Sequence, residues 1–105
     1  MTAVPRSGSS RAADPVVRRE VVFSGRVQGV GFRATFQRHA EDAAVRGWVR
    51  NEPDGTVRAH LLGPAQAVDH VILRARGSFG SGIGDIVEVE PGSLEEFRSF
   101  RIVRN

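Results

Sequence analysis

A strand-like segment, a glycine-rich turn and a helical pattern follow one another without a break in this chain, and that succession limits the fold more than any other feature. Residues 16–24, VVRREVVFS, are β-branched and roughly alternating, as a first strand should be. The next nine residues, GRVQGVGFR, carry glycine at 25, 29 and 31. From Phe32 onward Phe32, Phe36, Ala40, Ala43 and Ala44 recur at three- and four-residue steps, with Gln37, Arg38, Glu41 and Asp42 on the other face. This predicts a helix over 32–46, ended by Gly47. A glycine loop in that context can turn its N–H groups toward one point, and the helix start adds the positive end of its dipole. The run is an anion cradle in outline, and Arg33 in the first helical turn can close a fork on the anion.

The remaining elements follow from similar signals. Trp48, Val49 and Arg50 read as a second strand, Glu52-Pro53-Asp54-Gly55 as a tight turn, and residues 56–62 as a third strand. Gly63-Pro64 stops that strand and starts a second helix, striped by Val68, Val71, Ile72 and Ala75 and capped by Gly77. Residues 77–84, GSFGSGIG, read as a flexible loop and not a second phosphate grip, since no helical pattern follows. Residues 86–90 form a strand, Pro91-Gly92 breaks it, and 97–103 alternates as a closing strand. The order βαββαβ with an extra C-terminal strand predicts an α+β sandwich, two helices on one face of a mostly antiparallel sheet and the other face partly open to solvent. A fully parallel doubly wound sheet is disfavoured, because the Pro-Asp-Gly connection is too short for a crossover.

At 105 residues the chain suits one domain. Residues 1–15 mix Ser, Gly, Pro, Ala and Arg without a period and are expected to be a disordered lead-in to a domain over 16–105. No apolar run is long enough to cross a bilayer and the first residues lack a secretory stretch, so a soluble, cytoplasmic protein is expected. The absence of cysteine excludes disulfides, thiolate nucleophiles and cysteine-based zinc sites. His39, His60 and His70 fall on separate elements with no ligand spacing and are expected at the surface or an edge, so no metal is expected. All 15 basic residues are Arg, a chain-wide bias that reads as coding composition, and the net charge of +3 attracts anions only mildly. Glu41-Asp42 and Glu95-Glu96 read as solvated faces, and Trp48, Phe32 and Phe36 as core. Arg26 is as suited to the surface as to the cradle. For Gln28 the backbone amide is the favoured contact over the side chain.

Two nucleotide motifs fail against the run. A P-loop needs four residues between its glycines and then Gly-Lys-Ser/Thr, whereas three residues separate Gly25 from Gly29 and the chain has no Lys. The dinucleotide fingerprint Gly-x-Gly-x-x-Gly is also missing, because Phe32 and Arg33 follow Gly29-Val30-Gly31. What remains is a cradle for one small anion.

The run and its flanks resemble the acylphosphatase signature, a Gly-Arg-Val-Gln-Gly-Val-x-Phe-Arg loop, a Gly-Trp-Val-x-Asn segment and Asp-Gly-Thr-Val. The sequence reads GRVQGVGFR over 25–33, Gly47-Trp48-Val49-Arg50-Asn51 and Asp54-Gly55-Thr56-Val57. The likeness extends to Gly63-Pro64 and to FRSFRI over 97–102, covering nearly everything after the lead-in. It implies a ferredoxin-like fold and metal-independent, cofactor-free hydrolysis of an acyl phosphate, a small-molecule substrate, with inorganic phosphate as a product. It also implies that Arg33 and the amides of Gln28, Gly29, Val30, Gly31, Phe32 and Arg33 hold the phosphate while Asn51 orients the attacking water. Ala34 departs from the pattern, since many members carry a larger side chain there, and this bears on substrate preference.

The residue chemistry agrees with that implication. Arg33 stays protonated and acts only as an electrostatic clamp, and Asn51 is no base. With no acid or base in either motif, the substrate must bring a leaving group that departs unaided. A carboxylate does so, and alkyl phosphates should be poor substrates. Two other readings carry weight: a non-catalytic acyl- or carbamoyl-phosphate-binding module, as occurs inside larger maturation enzymes by family resemblance, and an RNA-binding domain of the same βαββαβ order. The RNA reading lacks paired aromatics on its strands. A monomer without nucleic-acid or membrane partners is expected.

Overall fold

The computed structural model describes residues 14–104. Its elements are β1 (Val16–Gly25), α1 (Phe32–Asp42), β2 (Arg46–Asn51), β3 (Val57–Pro64), α2 (Ala65–Phe79), β4 (Ile83–Val89) and β5 (Phe100–Val103). The five strands form one sheet in the order β4-β1-β3-β2-β5. All neighbours are antiparallel except β2 and β5, which run parallel. This is the expected ferredoxin-like α+β sandwich. Alternation decides which side chains face the helices: Val21 and Phe23, Val49, and Val57, Ala59 and Leu61 point to one face and are buried there against Phe32, Phe36, Ala40, Val68, Val71 and Ala75. Phe32 and Phe36 thus fill core as expected. The Phe23 ring lies 5.0 Å from that of Phe32 and 5.5 Å from that of Phe36, so the helix that opens at the glycine loop is anchored through its first turn. No helix among the described residues is long and apolar enough to cross a membrane.

Several boundaries differ from the sequence expectation, each for a local reason. α1 ends at Asp42, short of Gly47: Ala44 adopts φ 58°, and the N–H groups of Ala44 and Val45 close back on the carbonyls of Glu41 and Ala40. This is a left-handed helix ending built on Ala instead of Gly, so no glycine announced it. α2 runs through Gly77 to Phe79, and the stretch expected as a flexible loop is the end of that helix, a single 3₁₀ turn over Gly80–Gly82 and the start of β4. At the end of the expected lead-in, the Pro15 carbonyl and the Asp14 carboxylate accept from the N–H groups of Ala65 and Gln66 at the start of α2. Residues 1–13, the rest of the expected lead-in, lie outside the described residues.

The second face of the sheet is partly covered. β5 begins only at Phe100, and residues 90–99 cross this face as a strap with Phe97 buried beneath it. Trp48, expected in the core, lies half-buried on this side with its ring 5.7 Å from that of His60. His60 is fully buried, contrary to expectation, because the strap covers it with the Phe97 ring 5.2 Å away; register sets it opposite Glu20 on β1. An arginine can only donate, so Arg18 Nη1 donates to His60 Nε2 (3.1 Å) and His60 Nδ1 donates to Glu20 Oε1 (3.0 Å). His39 is also buried, between the helices, with Nε2 2.9 Å from Ser78 Oγ; burial, with the charges of Arg74 and Arg38, lowers its pKa. Only His70 is exposed as expected.

Glu20 fastens the strap. Its carboxylate accepts from Arg58 Nη1 at 2.7 Å and from the Gly92 N–H at 3.0 Å besides His60. Burial alone would raise its pKa, but the hydrogen bonds from Gly92, Arg58 and His60 outweigh burial and hold it below the usual carboxylate value. A carboxylate depressed in the folded state stabilises above its unfolded value near 4.5, and that contribution is lost as pH falls through the folded value. Glu20→Gln is therefore expected to be destabilised by about 3 kcal/mol at pH 7. Urea unfolding across pH should show the gap from the native chain closing below about pH 4.5.

Candidate active site

The loop between β1 and α1 is held at its base and open at its crown. Arg26 N–H donates to the Gly82 carbonyl (2.7 Å), Val27 N–H to that of Gly25 (3.1 Å), and the Val27 side chain is buried. Beyond this anchor Gly29 and Gly31 take φ 77° and 80°. A Cβ at either would meet nothing within 4 Å, so glycine is needed there for backbone conformation and not for space. Gly31 is the N-cap of α1, and its carbonyl accepts from Thr35 N–H. Among the described residues the N–H groups of Gln28 to Arg33 donate to no backbone carbonyl, leaving a run of donors at the loop and helix start.

A cavity of about 150 Å³ opens on this loop, lined by Val27, Gly29, Gly31, Phe32, Arg33, Ala34, Ile102 and Arg104. The expected residues Gly29, Gly31, Phe32 and Arg33 thus share one wall. Phe32 also belongs to the core cluster, so the cavity backs onto the core at this point. Arg33 is half-buried and makes no ion pair among the described residues. Val30 is 41% exposed and outside the lining, and Arg26 is exposed and also outside it. Sequence reasoning misses Arg104, a second arginine in the lining just past the end of β5; the available signal is its two-residue offset from Ile102.

Asn51 does not line this cavity; it ends β2, opposite Val57, on the face that carries Val49. The side chain of Gln28 joins the two places. Gln28 Nε2 donates to the Glu52 carbonyl (2.8 Å) and to the Thr56 carbonyl (2.9 Å), so the expected backbone role leaves out what its amide does. The acidic groups nearby are engaged elsewhere. Glu52 Oε2 accepts from Arg50 Nε at 2.6 Å, with the Arg50 guanidinium 4.5 Å above the Trp48 ring on the far face. Asp54 Oδ1 accepts from the Thr56 hydroxyl (2.6 Å) and N–H (3.0 Å), which lower its pKa. Among the described residues the cavity wall holds no carboxylate and no histidine. Among the described residues no group of three His, Asp or Glu side chains is arranged to hold a metal ion.

The family model described as Acylphosphatase matches residues 19–102, a span that includes the loop, Arg33 and Asn51. The chain belongs to the acylphosphatase family. It is 49% identical to an acylphosphatase of Nitrobacter hamburgensis over 78 residues, 74% of this chain and 78% of that one. It also resembles the crystal structure of acylphosphatase from Bacillus subtilis, with TM-score 0.75 and 36% identity over 85% of this chain and 99% of that one. The fold recurs in full-length HypF, solved in a phosphate- and nucleotide-bound form, with TM-score 0.73 and 24% identity over 85% of this chain and 12% of that one. Within the acylphosphatase family, then, the two sequence motifs of this chain are the two places that Gln28 ties together.

Proposed function

We propose that this chain hydrolyses the carboxyl–phosphate bond of acyl phosphates, with Arg33 and the amides of residues 28–33 holding the phosphate and Asn51 orienting the attacking water. The observation that carries this reading is the composition of the cavity wall: two arginines and two glycines among apolar residues, and among the described residues no side chain able to take or give a proton near neutral pH. Such a wall stabilises charge on a phosphoryl group but assists no poor leaving group. Water adds to phosphorus through its oxygen, the bond from phosphorus to the acyl oxygen breaks, and the carboxylate leaves with the electron pair. A phosphate oxygen of the substrate takes the proton released by the water. No step calls for a metal or a cofactor. The reading carries with it a monomer acting in the cytoplasm on a small molecule, without nucleic acid. Against the RNA-binding alternative stands the strap over residues 90–99, which occupies part of the sheet face such a domain would use.

Benzoyl phosphate hydrolysis in the presence of a chelator tests this directly. The native chain should release benzoate and phosphate and leave an alkyl phosphate essentially untouched. Asn51→Ala should lower kcat by about 10²-fold while inorganic phosphate inhibits as before, because positioned water matters in the transition state and not in phosphate binding. A native chain inert toward benzoyl phosphate, yet binding it, would favour the non-catalytic module instead.

A further inference from the structure

We infer that Gln28 is a positioning residue, its side-chain amide setting where Asn51 stands relative to the phosphate cradle; the inference rests on the water-orienting role proposed for Asn51. A primary amide has two N–H groups, and Gln28 spends both at once, on the carbonyls of Glu52 and Thr56 at 2.8 and 2.9 Å. These carbonyls are the two ends of the turn that follows Asn51, and Glu52 is its direct chain neighbour.

The turn does not need Gln28 to close. Glu52 N–H donates to the Thr56 carbonyl (2.8 Å), Gly55 N–H to the Glu52 carbonyl (3.1 Å), and Asp54 caps Thr56 through its N–H and hydroxyl. What Gln28 adds is therefore a tether between two bodies, each already ordered within itself. On the loop side, Arg26 and Val27 are fixed toward Gly82 and Gly25, and helical order resumes only after Gly31. The tether is the first residue of the part left between those anchors, next to Val27. A water held by Asn51 has to face phosphorus opposite the departing carboxylate, and a misplacement of about 1 Å costs about 10²-fold in rate. Phosphate alone is held by Arg33 and the loop and makes no such demand on Asn51.

The test is the steady-state kinetics of benzoyl phosphate hydrolysis with inorganic phosphate as competitive inhibitor, on the full chain. Gln28→Met keeps length and volume but removes both donors. It should lower kcat by about 10- to 100-fold with the inhibition constant for phosphate changed less than about threefold. Gln28→Asn keeps the amide on a side chain one methylene shorter, which cannot span both carbonyls, and should fall between native and Gln28→Met; it carries the test if Gln28→Met does not fold. In the Asn51→Ala background, removing the Gln28 donors should cost less than about threefold more, because the tether then has nothing to position. Full additivity in the double variant, a parallel loss of phosphate binding, or an unchanged kcat would overturn the inference while leaving the Asn51 reading intact. Undiminished turnover by Asn51→Ala alone would remove both.

Discussion

Replacing Arg33 by alanine is expected to lower kcat/KM for benzoyl phosphate by about 10³-fold, the range found when one preorganised electrostatic group is lost from a developing anion. Unlike the Asn51 variant, this one should also lose affinity for inorganic phosphate, because the guanidinium meets the phosphoryl group before the reaction as well as during it. Stability should hardly change: Arg33 is half-buried in the cavity lining and makes no ion pair among the described residues, so the fold loses little with it. Arg33→Lys separates charge from geometry. A lysine keeps the charge but cannot present two parallel donors, so it should recover only part of the loss. Retention of more than a tenth of native kcat/KM by Arg33→Ala would refute the clamp, and Arg104, on the same wall, would be the guanidinium to replace next.

What could be seen in the sequence was local. The glycine loop was legible because Gly29 and Gly31 answer a backbone demand that neighbouring residues reveal, a strand before and a helical period after. The strands and helices were legible in kind for the same reason. What could not be seen depends on register. Glu20 and His60 lie on different strands, each unremarkable alone, and become a buried pair only because β1 and β3 align them. Nothing near Gln28 in the chain says that its amide reaches the carbonyls of Glu52 and Thr56. Arg104 reaches the cavity only because β5 lies beside β2 at the sheet edge. The site was thus readable as two motifs, but not as the contact that joins them.

Gly47 shows the same limit and carries the largest expected effect on stability. Its place after a helical run suggested a cap, yet it lies within β2 at φ 140°. A Cβ built there would stand 1.8 Å from the His60 carbonyl oxygen and 2.9 Å from its carbon, both main-chain atoms of β3. That backbone cannot retreat, because β3 is hydrogen-bonded to β1 on its other side, while Gly47 N–H donates to the Ser99 carbonyl next to β5. Gly47→Ala should therefore destabilise by more than about 4 kcal/mol, a large share of the 5–15 kcal/mol typical of a domain, and leave little folded protein in a urea titration. Gly77 is the internal control. It lies in the last turns of α2, where an added Cβ meets nothing within 4 Å, and Gly77→Ala should raise stability by about 0.5–1 kcal/mol. If Gly77 were the helix cap that its sequence context suggests, the same substitution would destabilise. The sign of that one measurement separates a glycine required by its φ from one that the helix merely tolerates.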